Sequence, residues 1–303
     1  MIFEGEYYNG KENGKGKEFY SNGKISFEGE YLNGLRHGKG KEYDYDGKLL
    51  FEGEYLNGKK WNGKEKIIDY KGRILFEGGY KYGLKYGIER KYNNNELLMY
   101  ELSNGLKNGI IKYFYNAEKA KLKFEGEYLN GEKHGKFREY YQNGNLEFEG
   151  EYLYGEKNGH GKDYYENGTI KYDGEYLNGE KSGKGKEYYE NGQLQYDGQY
   201  LNGLRNGKGI SFNEKKEIIF EGRYLKGCVW TGKGKEFYEN NFLKYDGEYL
   251  EGKKIGEGKE YFENGNLKYD GVFLKRLRNG KGKEYYENGK LKFYGEFMDD
   301  KRN

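Results

Sequence analysis

The residues with the clearest chemical potential are pairs of acids that flank a glycine, as in Phe27-Glu28-Gly29-Glu30. Two carboxylates held close together are the acid and the nucleophile of many glycoside hydrolases. The same arrangement returns in nearly every part of the chain, however, whereas catalysis needs one distinct site. We therefore interpret these acids as members of a cross-strand charge ladder.

Other reactive side chains are sparse. The three histidines, His37, His134 and His160, lack the spacing of zinc ligands, and Cys228 has no neighbouring histidine to activate its thiol. Repeated Gly-Lys-Gly segments would cradle phosphate only in front of a helix, and no helical period follows them. The sequence thus predicts a protein that is not an enzyme, with no catalytic, cofactor-binding or metal-binding residue and no cofactor.

Composition narrows the class of protein. The chain has 303 residues with 52 glycines and no proline, and aromatic residues make up 18% of it. Because aliphatic residues are scarce we expect no thick globular core, while the abundant aromatics argue against disorder. The formal net charge of +3 does not indicate nucleic-acid binding. A single cysteine and the lack of a long apolar segment favour a cytoplasmic protein.

A repeat organises the whole chain. An aromatic residue, usually followed by an acid and a glycine, returns every 24 or 25 residues from Phe3 to Phe293. Each interval contains two short alternating runs bounded by glycine-rich turns, which predicts a β-hairpin. We expect one repeat domain over 1–303, an elongated all-β solenoid of about twelve hairpins plus a terminal strand in a single twisted antiparallel sheet. Degenerate units lie near 61–75, 86–123 and 205–231.

The Asn-Gly pairs set the predicted register. Asn-Gly tolerates positive φ at both residues of a type I′ turn, so a two-residue loop at Asn22-Gly23 would pair Tyr20 with Ile25. The same loop would pair Glu18 with Phe27. Side chains then alternate between a face with the aromatic residues and a face with the charges.

A longer turn is predicted to follow the first strand. It would place Lys17 between Glu6 and Glu28, so that charges of opposite sign alternate across one face. On the other face, Tyr31 is predicted to lie over glycine main chain on both of its sides, which would supply the missing hydrophobic layer.

The segment 27–40, FEGEYLNGLRHGKG, resembles the MORN (membrane occupation and recognition nexus) repeat, whose core is Y-x-G-x-x-x-N-G-x-x-H-G-x-G. The resemblance extends over essentially the whole chain. It implies a solenoid of hairpins that serves as a scaffold or as a tether between membrane and cytoskeleton, with dimerisation and binding to acidic phospholipids. Three functions stay open: a protein-binding scaffold at a membrane or the cytoskeleton, a peripheral phospholipid-binding protein, and an antitoxin or immunity-type partner.

The aromatic face offers one candidate binding surface. Its tyrosines and carboxylates are expected to form a groove for a peptide or helix that carries Lys or Arg, through cation–π and charge-assisted contacts. The alternative is that each carboxylate pairs locally with a lysine or a tyrosine hydroxyl. The residues of this predicted partner groove are Tyr176, Tyr200, Tyr249, Glu187, Glu236 and Glu260.

Lysine-rich loops are the second candidate surface. Lys181, Lys184 and Lys186 are predicted to face anionic lipid, although neighbouring acids cancel part of the attraction. The first strand, 3–8, would leave an open edge, so we also predict a homodimer formed through edge strands. The sequence does not identify the protein partner, and we expect no nucleic acid as a partner.

Overall fold

A computed structural model describes residues 2–93, 96–116 and 120–303. Every regular element among these residues is a β-strand, and short turns join the strands into successive antiparallel hairpins, which confirms the predicted all-β repeat. The strands are β1 (Ile2–Tyr8), β2 (Lys11–Phe19), β3 (Ile25–Leu32), β4 (Leu35–Tyr43), β5 (Leu49–Leu56), β6 (Lys59–Ile68), β7 (Ile74–Lys81), β8 (Leu84–Asn93), β9 (Glu96–Ser103), β10 (Leu106–Asn116), β11 (Lys121–Leu129), β12 (Glu132–Tyr140), β13 (Leu146–Leu153), β14 (Glu156–Tyr164), β15 (Ile170–Leu177), β16 (Glu180–Tyr188), β17 (Leu194–Leu201), β18 (Leu204–Phe212), β19 (Ile218–Leu225), β20 (Cys228–Phe237), β21 (Leu243–Leu250), β22 (Lys253–Tyr261), β23 (Leu267–Leu274), β24 (Leu277–Tyr285), β25 (Leu291–Met298) and β26 (Lys301–Arg302).

The chain forms two compact units. Unit 1 comprises Met1–Gly144 and Tyr152–Gly155, and unit 2 comprises Asn145–Glu151 and Glu156–Asn303. In unit 1 each strand from β1 to β12 pairs with the next along the chain. In unit 2 the same holds from β14 to β26. Both units are built from the same kind of hairpin. The single repeat domain over 1–303 stays a prediction.

Two kinds of turn alternate in the parts of the chain that the structure describes. The first, the tip turn, has two residues with positive φ: at Asn9-Gly10 the angles are 50° and 74°, and Tyr8 pairs with Lys11 across the turn. This is the type I′ geometry that Asn-Gly favours. In later hairpins the second turn residue also donates its N–H to the preceding hairpin, as Gly34 N does to Glu12 O at 2.9 Å.

The second kind, the wide turn, has three residues, and here the predicted type I′ turn is wrong. At 21–23 the left-handed residue is Gly23, with φ of 80°, and its N–H donates to Tyr20 O at 3.0 Å. This is a type I turn followed by a left-handed residue. Phe19, rather than Tyr20, therefore pairs with Ile25.

The predicted long turn after the first strand is also wrong. The hairpin closes at Asn9-Gly10, and the extra residues form a bulge at Gly14 within the next strand. Because the bulge displaces the pairing by two residues, Glu4 rather than Glu6 pairs with Lys17. Charges of opposite sign still face each other.

The core is a layer of aromatic rings that lie on glycine main chain. The side of the sheet that carries Phe27 and Tyr31 is called the ring face, and the side that carries Glu28 is called the outer face. Gly29 pairs with Gly40, and a Cβ added to Gly40 would come within 2.5 Å of Phe27 Cζ. The missing side chains of the glycines thus leave the space that the rings occupy.

Rings of neighbouring hairpins contact each other edge to face. The centroids of Phe27 and Tyr55 are 5.1 Å apart with the planes at 89°, and Phe27 is fully buried. Such contacts add about 0.5–1.5 kcal/mol to the burial of the rings. Tyr31 lies between Gly14 and Arg36, so the prediction of glycine on both of its sides is wrong.

Some hairpins have a large side chain where the others have the glycine that pairs with a glycine of the next strand. Ile111 and Phe137 both pair with Gly126, and both are buried. The rings of Phe124 and Phe137 then meet at 31° instead of edge to face. The layer therefore tolerates a side chain at this position when the neighbouring ring tilts.

Candidate functional site

Basic residues cover the ring layer on the ring face. The guanidinium carbon of Arg36 lies 4.1 Å from the centroid of Phe27, nine residues earlier in the chain. Cations over an aromatic face are attracted to it by about 0.5–1 kcal/mol where solvent has access. The cation–ring pairs of this kind are Arg36–Phe27, Lys60–Phe51, Lys85–Phe76, Lys107–Tyr100, Lys133–Phe124, Lys157–Phe148, Lys181–Tyr172, Arg205–Tyr196, Lys254–Tyr245, Arg278–Tyr269 and Arg302–Phe293.

Carboxylates connect these basic residues into a chain of ion pairs. In unit 1, Arg36 lies 2.6 Å from Glu18 and 3.3 Å from Glu42, and Lys60 lies 2.6 Å from Glu42. Burial opposes ionisation of Glu18, but hydrogen bonds from Arg36 and Tyr31 hold the pKa of its carboxyl below the ordinary value. Glu18 and Glu42 on the ring face are therefore neutralised within the chain.

The six residues of the predicted partner groove lie on the ring face of unit 2. Tyr176, Tyr200 and Tyr249 are buried in the ring layer. The hydroxyl of Tyr249 donates to Glu236 at 2.8 Å, which is the local pairing that the sequence analysis left as the alternative.

The carboxylates of the predicted groove already have basic partners. Glu187 lies 2.8 Å from Lys181 and 2.6 Å from Arg205, and Glu260 lies 3.0 Å from Arg278. Burial opposes ionisation of Glu187, but hydrogen bonds from Lys181 and Arg205 lower its pKa. A ligand's Lys or Arg would have to displace these side chains, and the groove stays a prediction.

The three lysines of the predicted lipid-facing loop do not share a face. Lys181 lies on the ring face, with Nζ 4.3 Å from the centroid of Tyr172. Lys186 lies on the outer face, where it pairs with Asp197 at 3.4 Å, and Lys184 is exposed on the outer face as well. Two of the three lysines thus lie on the outer face, and one of them, Lys186, already has an acidic partner.

The outer face carries the predicted ladder of opposite charges. These pairs are exposed, so each contributes about 0–1 kcal/mol and is weakened by salt. They are Lys17–Glu28 (3.8 Å), Lys41–Glu52 (3.2 Å), Lys66–Glu77 (3.2 Å), Lys112–Glu125 (3.3 Å), Lys162–Asp173 (3.7 Å), Lys186–Asp197 (3.4 Å) and Lys259–Asp270 (3.5 Å).

In the repeated Phe-Glu-Gly-Glu segment, the second acid has a different role from the first. The side chain of Glu30 lies against the bulge at Gly38. At the same position of a later unit, Gln199 Oε1 accepts a hydrogen bond from Lys208 N at 2.9 Å, directly after the bulge. The sequence analysis assigned both acids to the ladder, because it did not predict the bulge.

A groove runs across strands β1 to β5 on the outer face of unit 1, with a volume of about 930 Å³. Its floor is glycine main chain, and its walls are six glutamates and four lysines. The lining acids are Glu4, Glu6, Glu28, Glu30, Glu52 and Glu54, and the lining lysines are Lys15, Lys17, Lys39 and Lys41. The groove therefore has an excess of negative charge.

The hairpins, the ring layer and the paired charges together define a tandem β-hairpin repeat protein. The MORN repeat matches residues 3–25, 27–48, 172–194 and 196–211, and the MORN repeat variant matches residues 133–154, 157–178, 254–275 and 278–299. These matches span more than half of the sequence. The chain belongs to the MORN-repeat family, as the resemblance of its motif indicated.

Two solved structures with a detectable likeness are much larger and only remotely similar. A crystal structure of TcdB2-TccC3-TEV is 11% identical with a TM-score of 0.20, covering 91% of this chain and 17% of that chain. The Tc holotoxin pore of Photorhabdus luminescens with the mutation TccC3-D651A is 10% identical with a TM-score of 0.14, covering 93% and 18%. The chain thus spans less than a fifth of these proteins. No curated protein matches it, and no helix in the described ranges is long and apolar enough to cross a membrane.

Proposed function

We propose that this chain is a non-enzymatic MORN-repeat scaffold that binds proteins through the groove on the outer face of unit 1. The observation that carries the proposal is the groove's glycine floor between two walls of charged side chains. The floor positions Gly29 and Gly40 direct their missing side chains to the ring face, so only main chain lies between the charged walls and a bound segment can approach it. The excess of acids favours a partner segment that carries Lys or Arg.

Repetition of the charged rows supports a scaffold rather than a single-ligand receptor. Along the groove, Glu28 and Glu52 occupy equivalent positions in successive hairpins, as do Glu30 and Glu54. A partner with regularly spaced basic residues makes several equivalent contacts, and weak contacts gain affinity when they are linked.

Affinity purification with matched charge variants tests this proposal. The full chain, the groove variant Glu52→Lys/Glu54→Lys and the control Asp246→Lys/Glu248→Lys serve as baits, and captured proteins are identified by mass spectrometry. The control places the same substitutions at equivalent repeat positions of unit 2. We expect partners that both the wild type and the control retain and the groove variant loses. Equal capture by all three baits would contradict the proposal.

Binding to anionic phospholipid has weaker support. Lys181 lies on the ring face and pairs with Glu187. Of the three lysines, Lys184 and Lys186 lie on the outer face, and Lys186 faces Asp197. Flotation with phosphatidylserine vesicles at low and high salt tests this alternative, because electrostatic binding to lipid weakens as salt rises. The antitoxin function and the homodimer through edge strands stay predictions.

A further inference from the structure

Two rows of charged side chains cross strands β1 to β5 on the outer face of unit 1. The first, the ladder row, consists of residues that pair in register from strand to strand: Glu4, Lys17, Glu28, Lys41 and Glu52. Its lysines are engaged, because Lys17 lies 3.8 Å from Glu28 and Lys41 lies 3.2 Å from Glu52. The ladder row thus satisfies most of its own charges.

The second row, the bulge row, lies beside the bulges of β2 and β4. Its members are exposed residues that line the groove: Glu6, Lys15, Glu30, Lys39 and Glu54. Among the residues that the structure describes, no ion pair of 4.0 Å or less includes any of them. The carboxylates of Glu6 and Glu30 lie against the bulge glycines instead. The charges of this row are therefore the ones that a ligand can pair with.

The acids of the bulge row repeat once in every hairpin. Glu6, Glu30 and Glu54 lie in β1, β3 and β5, so successive acids are two strand spacings apart, roughly 9.6 Å. In unit 2 the residues at this position of β15, β17, β19, β21 and β23 are Glu175, Gln199, Arg223, Glu248 and Val272. An even row of three acids thus distinguishes the groove from unit 2.

The main chain of the groove floor is already paired within the sheet. Gly16 pairs with both Gly5 and Gly29, and Gly40 pairs with both Gly29 and Gly53. A segment in the groove therefore cannot join the sheet as another strand. Its own N–H and C=O groups must be satisfied by side chains or water. A polyproline II helix suits this condition, because it forms no internal hydrogen bonds and its backbone is solvated.

The polyproline II helix also has the period of the acids. It has three residues per turn and rises roughly 9.3 Å per turn, so every third side chain points to the same side. Across the two intervals of the row it departs from the acids by only about 0.6 Å. An α-helix returns to nearly the same side after seven residues, roughly 10.5 Å, and departs by about 1.8 Å. A β-strand returns after two residues, roughly 6.6 Å, which does not match the row.

We propose that the groove binds a polyproline II segment of a protein partner that carries Lys or Arg at every third residue and lies across the strands. Each basic side chain pairs with one acid of the row, Glu6, Glu30 or Glu54. Lys15 and Lys39 lie between these acids and donate to carbonyl oxygens, which this helix leaves unpaired. The inference rests on the proposed function and adds the conformation and the sequence period of the partner.

Peptide binding measured by fluorescence anisotropy with the full chain tests the period. The matched peptide has five repeats of Lys-Pro-Pro. The spacing control has the same composition with lysines at alternating intervals of two and four residues, which turns them to different sides of the helix. Because both carry the same charge, non-specific attraction is equal. Linked contacts gain affinity only when all fit at once, so we expect about tenfold tighter binding of the matched peptide.

A third peptide tests the conformation. Five repeats of Lys-Gly-Gly keep the order of charges but form a flexible chain, which must lose more conformational freedom on binding. We expect this peptide to bind more weakly than the matched one.

Substitutions in the groove test its place. Glu30→Gln/Glu54→Gln removes two charges and should keep the fold, since Gln199 occupies the same position in β17 and accepts a hydrogen bond from Lys208 N at 2.9 Å. We expect this variant to lose the preference for the matched peptide. The control Glu175→Gln/Glu248→Gln makes the same change in unit 2 and should bind both proline peptides like the wild type.

The outcomes separate this inference from the proposed function. Equal affinity for the two proline peptides, equal or tighter binding of the glycine peptide, or the same loss in both variants would each overturn the inference. If affinity purification still captured partners through the groove, the proposed function would stand. A clear preference for the matched peptide without any captured partner would support the inference and count against the proposed function.

Discussion

Replacing Gly40 by alanine places a methyl group in the space that the ring of Phe27 occupies. The added Cβ would lie 2.5 Å from Phe27 Cζ and 3.3 Å from Tyr55 Cδ2. Phe27 is fully buried and has Arg36 over its face, so the ring has little room to move. The strain must be taken up within the ring layer.

The expected cost follows from two opposing effects. Overpacking of a filled core typically costs about 1–3 kcal/mol. Removing a glycine from a strand recovers about 0.5–1 kcal/mol, because alanine has less backbone freedom to lose on folding. The net destabilisation is therefore about 1–2 kcal/mol, which corresponds to an equilibrium constant for local opening that is about tenfold larger.

Hydrogen exchange measured by mass spectrometry suits this prediction, because a repeat protein opens locally and does not unfold in one step. Peptides from β3, β4 and β5 should exchange about tenfold faster in Gly40→Ala, while peptides from unit 2 should be unchanged. In the background Phe27→Leu the same substitution should be neutral or stabilising. Equal destabilisation with and without the ring would refute the view that rings fill the space above glycine.

Three further outcomes are expected. The pKa of Glu187 is lowered in the folded protein, so its ion pairs stabilise the fold fully above the ordinary carboxyl pKa. This stabilisation is lost as pH falls through the lower pKa of the folded state. The melting temperature of Glu187→Gln should therefore depend less on pH in the acid range than that of the wild type. Burial raises the pKa of Tyr196 to about 12. The stability that its neutral hydroxyl contributes is therefore complete below the ordinary pKa of 10.0 and declines as pH rises through about 12. Tyrosinate absorbance recorded during alkaline unfolding checks this. Lys216→Gly should stabilise its wide turn by about 1 kcal/mol, because Lys216 has φ of 65° where wide turns such as those of Gly23 and Gly192 have glycine. Slower hydrogen exchange in β18 and β19 would show it.

The repeat and its hairpins could be predicted from the sequence because they depend on local patterns. The recurrence of an aromatic residue predicted the succession of hairpins, and the predicted pairing of Glu18 with Phe27 is confirmed. The turn types could not be predicted this way, since Asn9-Gly10 and Asn22-Gly23 have the same local sequence. What separates them is the bulge at Gly14, which depends on pairing with both neighbouring strands.

The sequence also predicted part of the arrangement of residues on the ring face. Tyrosines and acids were correctly assigned to one face, and Tyr249 does bind Glu236. Local pairing with a lysine was the alternative interpretation, and Lys181 does pair with Glu187. The arginine partner was not identified, because Arg205 reaches Glu187 across 18 residues and the contact depends on the register of two strands. The nine-residue interval from Tyr196 to Arg205 recurs from Phe27 to Arg36 and from Tyr269 to Arg278, so it was visible in the sequence and could have revealed the contact.

The chain of ion pairs on the ring face has a consequence for how such a protein changes its number of repeats. A regular hairpin offers an acid to the next hairpin and a basic residue to the previous one, as Glu260 and Lys254 do in β22. Ser211 in β18 and Val229 in β20 interrupt this pattern. Duplicating or deleting one whole unit leaves compatible neighbours at the new junction, so length can vary without redesign of the fold.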